Sequence, residues 1–421
     1  MFSAAIRPPD VGGGTMKAPP RFWMKPLAAI FALVFAATPL RAQTLKETGC
    51  TGDSAVPWAD LIATCDKAID SGRYAGKELA KAFGIRGNAY LESGEVDHAI
   101  ADYDRSVELD PNASYVFNGR GSAYKIKGDL DRALSDYVQG IRLDPNNAIL
   151  VNNRGVTYQL KGDLDHALAD YDRATQLDPT YALAFHNRGQ VYQGKGDLDR
   201  AIADYDQAIK LNPNYAAAFE SRGSVYGNRG DQDRAIADYN EAIRLNPRSS
   251  HAFYDRGMAY VFKTDFDHAL ADLNEAIKLD GNNADAFNSR GYIRQIEGDL
   301  DHAIADYSDA IRLRSTYIFA YNNRGVAYRT KGDYDLAIAD HGEAIRLDPV
   351  FAISYYSRGR AFAARQDITR AIADYDEAIR LRSNYTAALY WRGEAKRLGG
   401  DNAGADADIA AAQKLGQKRP N

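Results

Sequence analysis

Ten arginine–glycine pairs recur at a fixed spacing of 34 residues, from Arg86-Gly87 to Arg392-Gly393, with no insertion or deletion between them. A fixed period of that size marks a solenoid, in which each unit buries its apolar face only against its neighbours. A chain of 421 residues would ordinarily imply two or three domains. An array instead grows by stacking and has no single core to saturate. A formal net charge of −5 provides no basic field, which argues against phosphate-driven binding of nucleic acid.

The stretch from Ala182 to Tyr215 carries the logic of all ten repeats. Phe185, Gly189 and Tyr192 stand four and three apart and share one face of a first helix. Lys195-Gly196-Asp197 breaks the chain, and Asp197 is suited to cap a second helix. Ala201, Tyr205 and Ala208 share a face of that helix, which Asn212-Pro213 ends. Small residues where the helices cross, with large ones beside them, describe a helix–turn–helix unit with an interlocking face.

The pattern resembles the tetratricopeptide repeat over residues 80 to about 419. The glycine recurs in all ten units, and so does the alanine twelve residues later, from Ala99 to Ala405. Departures are local: Arg294, Phe362 and Lys396 replace the tyrosine that follows the glycine, and the last unit has Ile409 for its second tyrosine. The resemblance implies an all-α, right-handed α-solenoid of about ten repeats whose last member is a degenerate cap. It also implies a protein or peptide partner held in a concave groove.

Residues 1–42 read as a leader. Lys25 precedes an apolar run, Leu27 to Ala37, too short to span a bilayer, and Leu40-Arg41-Ala42 follows. Cleavage after Ala42 and export to a bacterial-type periplasm are expected, with contact with a membrane only through this signal. An uncleaved leader on a membrane-tethered or cytosolic scaffold is the alternative. The 43–79 segment contains the only two cysteines, Cys50 and Cys65, too far apart for a redox Cys-x-x-Cys and without histidines nearby for a metal. In an oxidising compartment they are expected to form a structural disulfide. Trp58 to Asp70 reads as one helix, placed to cover the open face of repeat 1.

The residue before each glycine, apolar in the resembling family, is here arginine. Around Arg188 stand Ala184 and Val191, on a face turned toward the preceding repeat. An arginine at an apolar seam needs a partner. Aspartate recurs at one place on every second helix, from Asp102 to Asp408. A structural ladder of pairs is therefore expected, involving Arg188, Asp204, Arg222 and Asp238, either within or between repeats.

Catalytic chemistry finds no support. His98, His166, His268 and His302 share a position with Arg132, Arg200, Arg234 and Arg370, which describes a solvated helix face and not a metal site. The Gly-Asp-Leu-Asp strings lack the ligand spacing of a calcium loop. No phosphate loop or nucleophile elbow is present, so no enzyme activity, cofactor, metal or small-molecule substrate is expected.

First-helix positions on the groove side vary from unit to unit: Leu183, His186, Gln190, Gln193 and Gly194 in the sample repeat. Repeats 2 to 4, counted from residue 80, are polar–aliphatic there, with Asn118, Asn152, Gln159, Gln190 and Gln193. Repeats 6 to 9 carry His251, Tyr254, Met258, Phe262, Tyr292, Ile296, Phe319 and Tyr356, with Asn288 and Asn322 beside them. The family's best-known mode, which grips a C-terminal carboxylate with lysines, is disfavoured by Gly84, Asn118, Asn152, His186 and Glu220 at the lysine position. The expected function is a non-catalytic scaffold that binds a polypeptide, or else a regulatory or assembly subunit of a larger complex.

Overall fold

The computed structural model describes residues 45–53 and 55–416, and among these there are helices and no strand. The leader read over 1–42 lies outside the described residues. The helices belong to two compact units, one ending at Val225 and the other beginning at Tyr226.

At the start of the N-terminal unit, α1 (Trp58–Asp70) follows a 3-10 turn, Leu45–Thr48. Leu61, Cys65 and Ala68 of α1 join Leu45 and Cys50 in a cluster with Ala82 and Ala89 of α2 (Gly76–Glu92). Cys50 and Cys65 are disulfide-bonded, with Cα atoms 4.7 Å apart. The bond fastens the α1 segment to the turn before it, so the open apolar face of α2 is covered.

From α2 onward each repeat is a pair of helices. In the fourth pair, α8 (Ala182–Gly194) leads through Gly196, at φ 80°, to α9 (Leu198–Leu211). Asp197 caps α9 by accepting a hydrogen bond from the Arg200 backbone N–H. Ala201, Tyr205 and Ala208 are fully buried. The Tyr205 ring packs against the backbone of α8 at Gly189, where a Cβ would stand 2.8 Å from it. Only glycine permits that approach, which explains why the glycine follows the period without exception.

The arginine beside it ties the pair together. Arg188 donates from Nε and Nη2 to the two carboxylate oxygens of Asp204, at 2.9 and 2.6 Å. Its Nη1 donates to Asp172, on the second helix of the preceding repeat, at 2.7 Å. The Arg188 guanidinium thus bonds within its own repeat and across the seam, a two-edged use of the planar fork that lysine could not reproduce. In the C-terminal unit Arg256, Arg290, Arg324, Arg358 and Arg392 grip Asp272, Asp306, Asp340, Asp374 and Asp408 in the same way. The seam acceptor varies in type, from Asp104 for Arg120 to Asn274 for Arg290 and Ser308 for Arg324. Arg222 bonds Asp206 across its seam, and Asp238 is buried.

Replacing Arg188 with leucine leaves Asp204, 5 % exposed, without its fork. Melting should show a loss of roughly 1–3 kcal/mol, the cost of a buried unsatisfied group. Unchanged melting would mean that the fork contributes nothing to the stack. The interhelix turn supplies a second expectation. Thr264 stands at φ 58°, where most other repeats have glycine. Relief of that left-handed strain in Thr264→Gly should raise stability by up to about 1 kcal/mol, and a fall in melting temperature would contradict it.

Candidate partner-binding surface

The first helices of repeats 6, 7 and 8 are α12 (Ser250–Phe262), α14 (Ala284–Ile296) and α16 (Ile318–Lys331), all in the C-terminal unit. Their groove-side positions separate into two groups. Phe262, Ile296 and Phe319 are exposed by 57, 45 and 56 %. Phe262 and Ile296 occupy the same position in consecutive repeats, at the ends of α12 and α14. Phe319 lies at the start of α16, edge-on to Tyr317 and Phe351. His251 is exposed at the start of α12.

The other group faces inward. Tyr254 and Tyr292 are half-buried against the cluster of Leu273, Ala276 and Ile293, and burial raises the Tyr292 hydroxyl pKa. Met258 is also half-buried. Asn322 is only 5 % exposed. Its amide nitrogen donates to Ser354 Oγ at 2.8 Å and to the Ile318 carbonyl, and its oxygen lies 3.1 Å from His341 Nδ1. Asn288 is half-buried and accepts from Asn323 at 3.1 Å. Tyr356 is buried against Tyr375 and Tyr385. These side chains stand where successive first helices press together, so the interior takes them and a partner would meet the helix ends. In the N-terminal unit His186 behaves likewise: it is buried, with Ser221 and Tyr215 each 3.1 Å from a ring nitrogen.

The histidines that alternate with arginine lie on the surface. His166 is 2.8 Å from its capping Asp163 and stacks on Tyr158. Arg200 bonds Asp197 and covers Tyr192 in the same manner. No group of three or more His, Cys, Asp or Glu side chains able to hold a metal occurs among the described residues.

One histidine is different. His341 takes the place of the core tyrosine of repeat 8, fully buried, with its ring 2.7 Å from where a Cβ on Gly325 would be. Its Nε2 has no hydrogen-bond partner. Burial, with Arg329 and Arg358 nearby, depresses its pKa to about 3.

Stacked helix pairs with exposed apolar residues on one row of helices define an α-solenoid interaction scaffold. Sequence profiles described as "Tetratricopeptide repeat" or "TPR repeat" match residues 87–128, 121–162, 160–196, 182–215, 204–237, 254–318, 322–386 and 356–420. The chain belongs to the tetratricopeptide repeat family, whose members generally act as non-enzymatic scaffolds for protein or peptide partners. No curated protein matches it. Among solved structures, it is similar to YrrB, "a TPR protein with an unusual peptide-binding site", at 24 % identity over 45 % of this chain and 97 % of that one, with a TM-score of 0.39. It is also similar to MamA, at 29 % identity over 41 % and 94 % of the two chains (TM-score 0.36). A tetratricopeptide repeat protein from Parabacteroides merdae aligns at 21 % identity over 59 % and 98 % (TM-score 0.46).

The buried His341 makes stability depend on pH. Its folded pKa, about 3, lies below the ordinary 6.5, so the unfolded chain takes up the proton first. Its contribution is intact above about pH 6.5 and is lost as pH falls toward 3, amounting to about 2 kcal/mol between pH 7 and 5. His341→Tyr, which restores the residue most other repeats carry, should melt progressively above the wild type as pH is lowered over that range. A difference independent of pH would show that His341 does not titrate there.

Proposed function

We propose that the protein is an exported, non-catalytic scaffold that holds an extended polypeptide along the first-helix face of repeats 6 to 8. The observation that carries this reading is the exposure, along one row of first helices, of Phe262 and Ile296 at the ends of α12 and α14 and of Phe319 at the start of α16. About half of each side chain remains in water, although Phe319 also meets Tyr317 and Phe351 edge-on. Covered by a partner, each would contribute roughly 1.5–3 kcal/mol. His251 and the accessible edges of Tyr254, Met258 and Tyr292 flank the row and would supply adaptable contacts. Asn288 and Asn322 serve the stacking of the helices and are not assigned to recognition. Export is supported by the leader pattern and by the Cys50–Cys65 disulfide, which persists in oxidising compartments.

In affinity capture from a native envelope fraction, the triple change Phe262→Ser, Ile296→Ser, Phe319→Ser should weaken binding of the main partner at least tenfold. Helicity should remain that of the wild type, because all three side chains are exposed. Undiminished capture by the folded variant would move the site away from this row. The mature protein should begin at Gln43, and an N-terminus that retains the leader would oppose export by cleavage.

A further inference from the structure

We propose that the seam between repeats 8 and 9 contains a binding site for a carboxylate, formed by Nη1 of Arg358 beside the bare backbone of Gly342. The carboxylate enters from solvent, on a small organic acid or on an aspartate or glutamate side chain of a polypeptide. The site depends on the arginine ladder and is independent of the apolar row.

The ladder itself defines the ligand. In eight repeats the arginine Nη1 donates to a side-chain oxygen on the helix that precedes its own repeat. In five of them that oxygen is a carboxylate, from Asp66, Asp104, Asp172, Asp206 or Asp376. A guanidinium already forked to one carboxylate therefore holds a second as its commonest seam partner. Arg358, on α18 (Ala352–Ala364), keeps the fork to Asp374 at 2.8 and 2.7 Å. The seam position before it, on α17 (Tyr334–Leu347), is Gly342. Among the described residues Arg358 Nη1 has no acceptor. The neighbouring carboxylate, Glu343, is engaged with Arg346.

Distance and exposure make this a place a ligand can reach. A Cβ on Gly342 would lie 3.9 Å from Arg358 Nη1, and outside α17 no other atom comes within 4 Å of that point. The backbone is thus in register, and only the side chain is lacking: in the next repeat Asp376 reaches Arg392 Nη1 at 2.7 Å. The position opens to solvent, since Asp104, Asp172, Asp206 and Asp376 are 46 to 55 % exposed there. Arg358 is itself 25 % exposed, against 16 to 19 % for the other nine ladder arginines. Arg154 supplies the contrast. It also lacks a seam oxygen, but Val138 stands at that position and Arg154 is no more open than the rest. Glycine alone leaves both the donor and the space of one aspartate side chain accessible. Asn240, Asn274 and Ser308 show that a neutral oxygen can serve, but a charged acceptor makes the stronger bond.

The test follows melting of the full chain in sodium acetate and in sodium chloride at equal ionic strength, with acetamide as the neutral isostere. Acetate at about 200 mM should raise the melting temperature by about 2 °C over chloride, and acetamide should not. Gly342→Asp builds the carboxylate into the chain, and Gly342→Val copies the seam at Val138. Each should abolish the acetate increment, whatever its own melting temperature in chloride. Fluorescence anisotropy with fluorescein-labelled octaglutamate and octaglutamine then separates the two sources. If a polypeptide supplies the carboxylate, octaglutamate binds roughly tenfold more tightly than octaglutamine, and both Gly342 variants lose that margin. Equal binding of the peptides, with the acetate increment present, assigns the site to small acids. Absence of both the increment and the peptide margin would overturn the site. So would either effect persisting undiminished in Gly342→Asp and Gly342→Val, and an acetamide increment equal to that of acetate would overturn the carboxylate assignment.

Discussion

The Arg188 fork illustrates what makes the stack possible. One guanidinium, 5.4 Å from the centroid of the Phe185 ring, satisfies an aspartate inside its repeat and an acceptor across the seam. An isolated buried ion pair is weak support for stability, because desolvation offsets most of its attraction. Repeated here with good geometry, it does something a hydrophobic seam cannot: it fixes the register of one pair of helices against the next. A slip by one turn would strand both charges. The glycine beside it admits the core tyrosine and lets the helices come close enough for the fork to reach. The Arg-Gly dipeptide thus couples packing to register in two adjacent residues.

Most of this architecture was legible in the sequence, because the period repeats each physical requirement ten times. The helix read over Trp58–Asp70 has those bounds, and the turn at Lys195-Gly196-Asp197 lies between α8 and α9. The second seam acceptor was not legible. Its position holds Asp104, Val138, Asp172, Asn240, Ser308 or Gly342 in different units, so no residue type marks it. The groove was only partly legible. Helical spacing shows that Tyr254, Asn322 and Phe319 lie on related faces, but not how closely the neighbouring first helix approaches. That distance decides that Asn322 is interior and Phe319 exposed. The available signal for the buried histidine was a departure from pattern: His341 where most repeats have tyrosine.

The departures from the framework are few. Leu273, His341 and Ile409 stand where the other repeats carry the core tyrosine, and Tyr375 keeps the ring but leaves its hydroxyl without an acceptor. In an array whose framework repeats so strictly, a position that abandons the framework residue gives up a known structural benefit.

The seam bond is missing twice. Val138 and Gly342 stand where other repeats present an oxygen, and Arg154 and Arg358 keep only the fork within their own repeats. In a one-dimensional array, stability is a sum of repeat terms and nearest-neighbour couplings, so these two links lack one polar coupling that the others have. Each lies inside one of the compact units. At these two seams, one of them following the repeat that buries a histidine, register rests on the remaining side-chain contacts alone.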